Sequence, residues 1–414
     1  MKTSWPITVG LLFLAVGLLM GCQAVDAAPL PTRAVAAALP VPTNSVPATF
    51  TASVVTAVAT PIFAAPRATA TPTNTPFIPT LTPFTPRPSD TPTPTLSPLI
   101  TPTITPVIKP INQYAYQEVI PFEAFPLPPG DNGWGMHWIP TVSQDQGVVD
   151  RFVAEMVKMH IKWVVFLNDG ADIGSNDYLV DKLVANGIMP VMRLYRNGVL
   201  PYDGDIAGMV RHYRAKGVYY FQLYNEPNVN DENHQGFANP NQYAIAWAAT
   251  ARIIVANGGL PGIGAFSPGG AYNHYEFLDR TLRALEFNGD GALLNHAWLS
   301  VHNYHGTRPY DDPDGFLLFR KYDEIVRSHL GRSLPMVGTE GGSYSDNPDV
   351  VTDLLAYQYG YMRDAEPYFL AFSYWIVANQ AGGSHDAAWE WQALFRASGY
   401  VHPVVTDFFY QNGR

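Results

Sequence analysis

Beyond residue 112 the chain alternates between two hydrophobic periods. Short runs rich in β-branched and aromatic residues recur at 134–138, 161–167, 189–195, 218–224, 261–267, 297–304, 335–340 and 368–375. Between them lie stretches whose apolar residues return every three or four positions, such as 148–160, 205–217, 241–259 and 350–364. The first kind predicts strands and the second predicts amphipathic helices. Gly187, Gly217, Gly258 and Gly331 stand where helices need a left-handed cap. Eight strands alternating with helices predict an α/β fold, a (β/α)8 TIM barrel. An open doubly wound sheet would carry a glycine-rich phosphate loop after its first strand. The segment "GMHWIPTVSQDQG" at 135–147 is not such a loop.

The first 111 residues follow neither period. Met1-Lys2 precedes the apolar run "ITVGLLFLAVGLLM" at 7–20, which has signal-peptide length and is short for a transmembrane helix. The run ends in "LMGC", which resembles a bacterial lipoprotein signal and implies cleavage after residue 21 and lipidation of Cys22. An ordinary secretory signal is the alternative. Cys22 is the only cysteine, so no internal disulfide can form. Residues 22–111 predict a disordered Pro/Thr-rich tether, because 23–111 hold 19 of the 37 prolines, no Trp or Tyr and six charged residues. Together these features predict an extracellular, cell-surface protein held to a bacterial membrane by lipid, with a domain at 112–414. A chain starting near residue 112 is expected to fold with unchanged thermal stability.

Composition narrows the partners. Residues 112–414 carry 20 basic against 33 acidic side chains, which gives no support for binding nucleic acid. No cofactor is expected. His302 and His305 are three apart on a strand and turn, where their side chains diverge, and no His-Glu-x-x-His or cysteine pair is present, so no metal is expected. No Gly-x-Ser-x-Gly elbow supports a serine nucleophile.

A barrel places its chemistry at the C-terminal ends of its strands. Asn225-Glu226-Pro227 closes the fourth, Glu340 the seventh, His302-Asn303-Tyr304 the sixth and Trp375 the eighth. Arg193 closes the third and His137-Trp138 the first. The Asn-Glu-Pro, the second strand-end Glu, the His-x-Tyr and the Trp resemble clan A glycoside hydrolases, similar to families 5 and 39. Family 5 commonly has a histidine where the third strand here ends in Arg193 and Tyr195. The resemblance implies a retaining glycosidase acting on β-linked oligo- or polysaccharides, with Glu226 as acid/base and Glu340 as nucleophile. It implies that Asn225 donates to the sugar 2-hydroxyl and that Tyr304 bonds Glu340. Two carboxyls suit the chemistry, since one must protonate the leaving oxygen and the other stabilise an oxocarbenium-like transition state.

The remaining candidates carry bland readings beside the functional ones. His302 is either a site residue or a core histidine, and Trp375 either a sugar platform or core. Arg193 is either a substrate contact or the partner of a neighbouring carboxylate. His137, Trp138, Asn303, Trp389 and Trp391 are further candidate sugar contacts, with "HDAAWEW" at 385–391 as a loop over the barrel mouth. The domain is expected to be monomeric. A non-catalytic carbohydrate-binding surface lipoprotein on the same scaffold is the alternative function.

Overall fold

A computed structural model describes residues 108–142, 145–379 and 389–412. The signal segment, Cys22, the tether as far as residue 107 and most of 385–391 lie outside the described residues. Eight parallel strands close into a barrel in chain order, with the eighth paired to the first. They are β1 (Trp134–His137), β2 (Trp163–Asp169), β3 (Met189–Tyr195), β4 (Tyr220–Leu223), β5 (Leu260–Phe266), β6 (Trp298–His302), β7 (Met336–Glu340) and β8 (Phe369–Tyr374). Seven helices follow in alternation: α1 (Gln146–Lys158), α2 (Asp177–Ala185), α3 (Ile206–Ala215), α4 (Pro240–Ala256), α5 (His274–Phe287), α6 (Phe319–Leu330) and α7 (Pro348–Tyr361). Each apolar run singled out in the sequence is a strand. The four helix-closing glycines all take left-handed backbone, with φ between 66° and 103°. Among the described residues no helix is long and apolar enough to cross a membrane.

Strand alternation sorts the apolar residues into two separate cores. One set, including Val164, Phe166, Met192, Phe221, Leu223, Ile263, Leu299 and Phe372, packs outward with helix residues such as Phe152, Trp247 and Leu285. The other set points inward: Trp163, Val165, Val191, Tyr220, Leu260, Trp298, Val337 and Ala371 form a closed cluster. Tyr220 stands between Trp163 and Trp298, each approached edge-on at ring separations of 5.3 and 5.7 Å. Room for Trp298 requires glycine at 262, where a Cβ would lie 2.5 Å from the indole. Going up the barrel, the inward positions become polar. Gln222 and Ser373 are wholly buried, and Ser300 and Thr339 share a hydrogen bond of 2.7 Å. This gradient leaves apolar packing at one end and chemistry at the other.

Ile111, Ile120 and Phe125 seal the apolar end, packing into the inward cluster. Tyr220 donates to the Pro126 carbonyl and Trp163 to Asp131, each at 2.8 Å, so the polar tips of these rings are satisfied by the same segment. Ile111 is only 7% exposed and lies one residue outside the boundary drawn from composition. A chain beginning at residue 108 is therefore expected to melt at the same temperature as the full chain. One beginning at 112 should lose up to about 1.5–3 kcal/mol, the burial of one isoleucine. Calorimetry of the two shortened chains checks this, and equal melting temperatures would remove Ile111 from the core.

Candidate active site

The strand ends converge as parallel closure demands, and the fourth does so through unusual backbone. After β4 the chain takes left-handed conformation at Tyr224 (φ 63°) and again at Glu226 (φ 37°), both non-glycine. Such residues cost on the order of 1–3 kcal/mol each and persist only where the surroundings hold them. Here the Tyr224 N–H donates to the Tyr202 hydroxyl at 2.9 Å, and the Glu226 N–H donates to the Ala265 carbonyl at 2.9 Å. The first reversal turns Tyr224 outward into the helix-facing core, where its ring meets Tyr202 and Tyr243. The second leaves Glu226 at the barrel mouth, 2.9 Å from His302 Nδ1.

Glu340 sits opposite in a tight cage. Arg193 Nη1 donates to Oε1 at 2.5 Å, and the Tyr304 hydroxyl donates to Oε2 at 2.8 Å. Its side chain is 9% exposed against 22% for Glu226, so Glu226 has the better access to water. Burial alone would push the Glu340 carboxyl upward, but His302, Arg193 and the Tyr304 hydroxyl together hold it well below the ordinary carboxylate range. Burial, followed by the nearby Glu340 charge, raises the Tyr304 phenol well above its usual value, so it remains a donor.

His302 is wholly buried between the two carboxylates, 2.9 Å from Glu226 and 3.6 Å from Glu340. Arg193 Nη2 lies 3.4 Å from His302 Nε2, and His302 Nδ1 lies 2.9 Å from Glu226 Oε1. One donor atom each from Glu226, His302 and Glu340 lie within 4.8 Å of one another. That spacing could hold a cation. The guanidinium on Glu340 and the imidazole on Glu226 already occupy these oxygens, and their chemistry is that of an ion-pair network.

The other sequence candidates divide. His137 is buried with Nδ1 on the Trp138 carbonyl at 2.8 Å, leaving Nε2 without a protein partner. Burial and then the Arg193 charge push this imidazole down to about 3, so at neutral pH His137 offers an uncharged acceptor. Trp375 follows β8 and precedes a cis peptide to Ile376, with its ring 4.1 Å from His137 and edge-on to Trp389 at 5.3 Å. Arg193, a candidate substrate contact, is instead the partner of Glu340. Trp138 packs on Phe152 in the outer core, and Asn303 donates to the Phe316 carbonyl at 3.2 Å, so both serve the scaffold. Trp391 is half-buried and its carbonyl accepts from Arg396.

Two residues at the mouth escaped the sequence reading. Tyr344 is 61% exposed and stacks on Tyr304 with ring centroids 5.8 Å apart. Burial and then Glu226 and Glu340 raise its phenol, which marks its closeness to both carboxylates. Glu232 accepts from Asn225 Nδ2 at 3.0 Å and is a third carboxylate beside the pair. Nothing distinguishes it in the sequence from its neighbour Asp231, which lies in the same loop after the strand-end glutamate.

No family model matches the chain, and no curated protein matches it. Solved structures do. A family 39 glycoside hydrolase from Bacteroides cellulosilyticus WH2 superposes with a TM-score of 0.50 at 15% identity, over 66% of this chain and 62% of that one. A β-glucuronidase from Bacteroides uniformis gives 0.45 at 11% identity, over 68% and 35% of the two chains. An endo-β-1,4-glucanase from Xanthomonas axonopodis pv. citri, in a triply substituted form, gives 0.44 at 13% identity, over 68% and 99%. This chain thus spans less than two thirds of the length of the first two. At such identities the likeness is one of architecture: the described residues form a (β/α)8 barrel of the kind seen in the family 39 glycoside hydrolase.

Proposed function

We propose that this chain is a retaining glycosidase of β-linked glycans. The observation that carries the reading is the placement of Glu226 and Glu340, with carboxylate oxygens within 4.8 Å across the polar end of the barrel. Retaining enzymes hold their carboxyls ~5–5.5 Å apart, whereas inverting ones leave ~6.5–9.5 Å for a water between them. Glu340 suits the nucleophile: it is buried, anionic and aimed by Arg193 and Tyr304. The more open Glu226 protonates the departing glycosidic oxygen as Glu340 bonds to the anomeric carbon. It then takes a proton from the water that hydrolyses the glycosyl-enzyme. His302, bonded to Glu226, orients the shuttling carboxyl. Trp375, its ring 4.1 Å from that of His137, supplies a ring for the sugar to stack on.

A panel of β-linked glucans, mannans, xylans and aryl β-glycosides tests the reading, with the first-formed anomer followed by proton NMR. Hydrolysis with retained configuration is expected. First-formed inverted product would overturn the mechanism, and binding without turnover would favour a carbohydrate-binding surface protein.

The location is part of the proposal and rests on "LMGC" at 19–22. Lipid on Cys22 would tether the domain outside the cell, where polymeric glycans are met. Cys22→Ser is expected to move the protein from the membrane fraction to the soluble one. Undiminished membrane association would reject the anchor.

A further inference from the structure

Two of the carboxylates at the barrel mouth have basic partners: Glu226 lies 2.9 Å from His302, and Glu340 2.5 Å from Arg193. Among the described residues no basic nitrogen lies within 4.0 Å of the third, Glu232. Its Oε1 accepts from Asn225 Nδ2 at 3.0 Å, while Oε2 has no protein partner and is open to water. The side chain lines a recess of about 130 Å³ beside the catalytic pair, together with Leu167, Arg193, Tyr195, Arg196 and Asn225.

The loop holds this charge in place. Asn228 donates to the carbonyls of Ser267 at 2.8 Å and Tyr272 at 3.0 Å. Asn233 donates to those of Pro227 at 3.0 Å and Val229 at 2.6 Å, and Asn230 accepts from the Ala238 N–H at 3.1 Å. Three asparagines thus fix the 3-10 turn Asn230–Glu232.

The recess has two cations of its own, and both are engaged. Arg193 is paired with Glu340, while Arg196 Nη1 donates to the Pro201 carbonyl and lies 3.2 Å from Asp203. The uncancelled charge is that of Glu232. Burial is the main cause that lifts its carboxyl above the ordinary value, and the charges of Glu226 and Glu340 add to it. A half-buried carboxylate in this state is stabilised by a bound cation and repels a second anion. Uronic and sulfated sugars are disfavoured on that ground, whereas an ammonium brings both a charge and N–H donors. The excess of 33 acidic over 20 basic side chains in 112–414 also draws a cationic polymer toward the domain.

We propose that Glu232 and its recess form a binding site for a substrate ammonium, so that the preferred glycans are β-linked amino sugars with a free amine. This rests on the glycosidase reading above and names its substrate class.

The test compares kcat/KM of the full chain on aryl β-glycosides of glucosamine, galactosamine and mannosamine, each beside its neutral parent sugar and its N-acetyl derivative. In the configuration the site accepts best, the free amine should exceed both counterparts on the order of 10–100-fold, the scale of a charge-assisted hydrogen bond. The preference should fade in alkali as the amine loses its proton. Glu232→Gln keeps an oxygen for Asn225 and removes the charge, so the preference should drop to within about threefold, through the KM of the amine. A second measurement needs no turnover: Kd values from calorimetry for the β-linked glucosamine dimer against cellobiose, in the unaltered protein and in Glu232→Gln. Tighter binding of the amine that Glu232→Gln abolishes, with no glycoside hydrolysed, would leave the ammonium site standing and end the glycosidase reading. Hydrolysis of neutral glycosides with no preference for the amine would do the reverse. No amine preference in either measurement, or one that survives in Glu232→Gln, overturns the proposal.

Discussion

Glu340→Ala is expected to remove turnover on every leaving group, by a factor on the order of 10⁵–10⁶, the scale of losing a covalent nucleophile. Glu226→Ala should differ in kind. Loss of an acid/base costs about 10²–10⁴-fold on poor leaving groups, and far less on aryl glycosides that depart without a proton. In that variant the glycosyl-enzyme accumulates, because no base activates water. Azide, an anion that needs no base, should restore turnover and yield a β-glycosyl azide of retained configuration. In Glu340→Ala azide can act only from the vacated face, giving the inverted product. The basis is geometric: Glu340 is the caged, buried anion, and Glu226 is the open carboxyl bonded to His302. Exchanged azide stereochemistry would reverse the roles, and full activity in both variants would end the glycosidase reading.

Arg193→Met should cost about 3–5 kcal/mol of stability at neutral pH, since removing one partner of a buried ion pair strands the other charge. Arg193 and Glu340 are 5% and 9% exposed at the side chain. The sign with pH follows from the depressed Glu340 carboxyl. Its contribution to stability is present above the unfolded value near 4.5 and disappears as pH falls from there toward about 2. In the variant the carboxyl ionises at higher pH, so the deficit is largest near neutrality and narrows in acid. The acid limb of kcat/KM should move upward with it. Denaturant unfolding at pH 7 and pH 4, with a pH–rate profile, checks both statements. Equal stability at pH 7, or an unmoved acid limb, would mean that Arg193 does not hold Glu340 ionised.

The alternation of strand and helix was legible residue by residue because both periods are local. Every inward residue of a strand is two positions from the next, and every helix stripe returns in three or four. Parallel order followed, since connections through helices leave few other closures. Glu226 and Glu340 were legible for the same reason, because the C-terminal end of a barrel strand faces one shared mouth. What local patterns cannot carry is distance across the barrel. Arg193 and Glu340 are 147 residues apart, and only closure of β8 onto β1 makes them a salt bridge rather than two separate substrate contacts. Asn303 and Trp138 stand beside strand-end site residues in sequence, yet their contacts turn them to scaffold. The left-handed turns at Tyr224 and Glu226 carry no glycine to announce them, since tertiary hydrogen bonds hold a conformation that neither residue prefers. Glu232 is one acid in an acidic loop until three asparagine braces set it against Asn225. Local periodicity thus determined the barrel and which strand ends meet at its mouth. Tertiary closure and loop bracing alone decided which of those groups touch, because hydrogen-bond geometry is set at the scale of ångströms by residues distant in the chain.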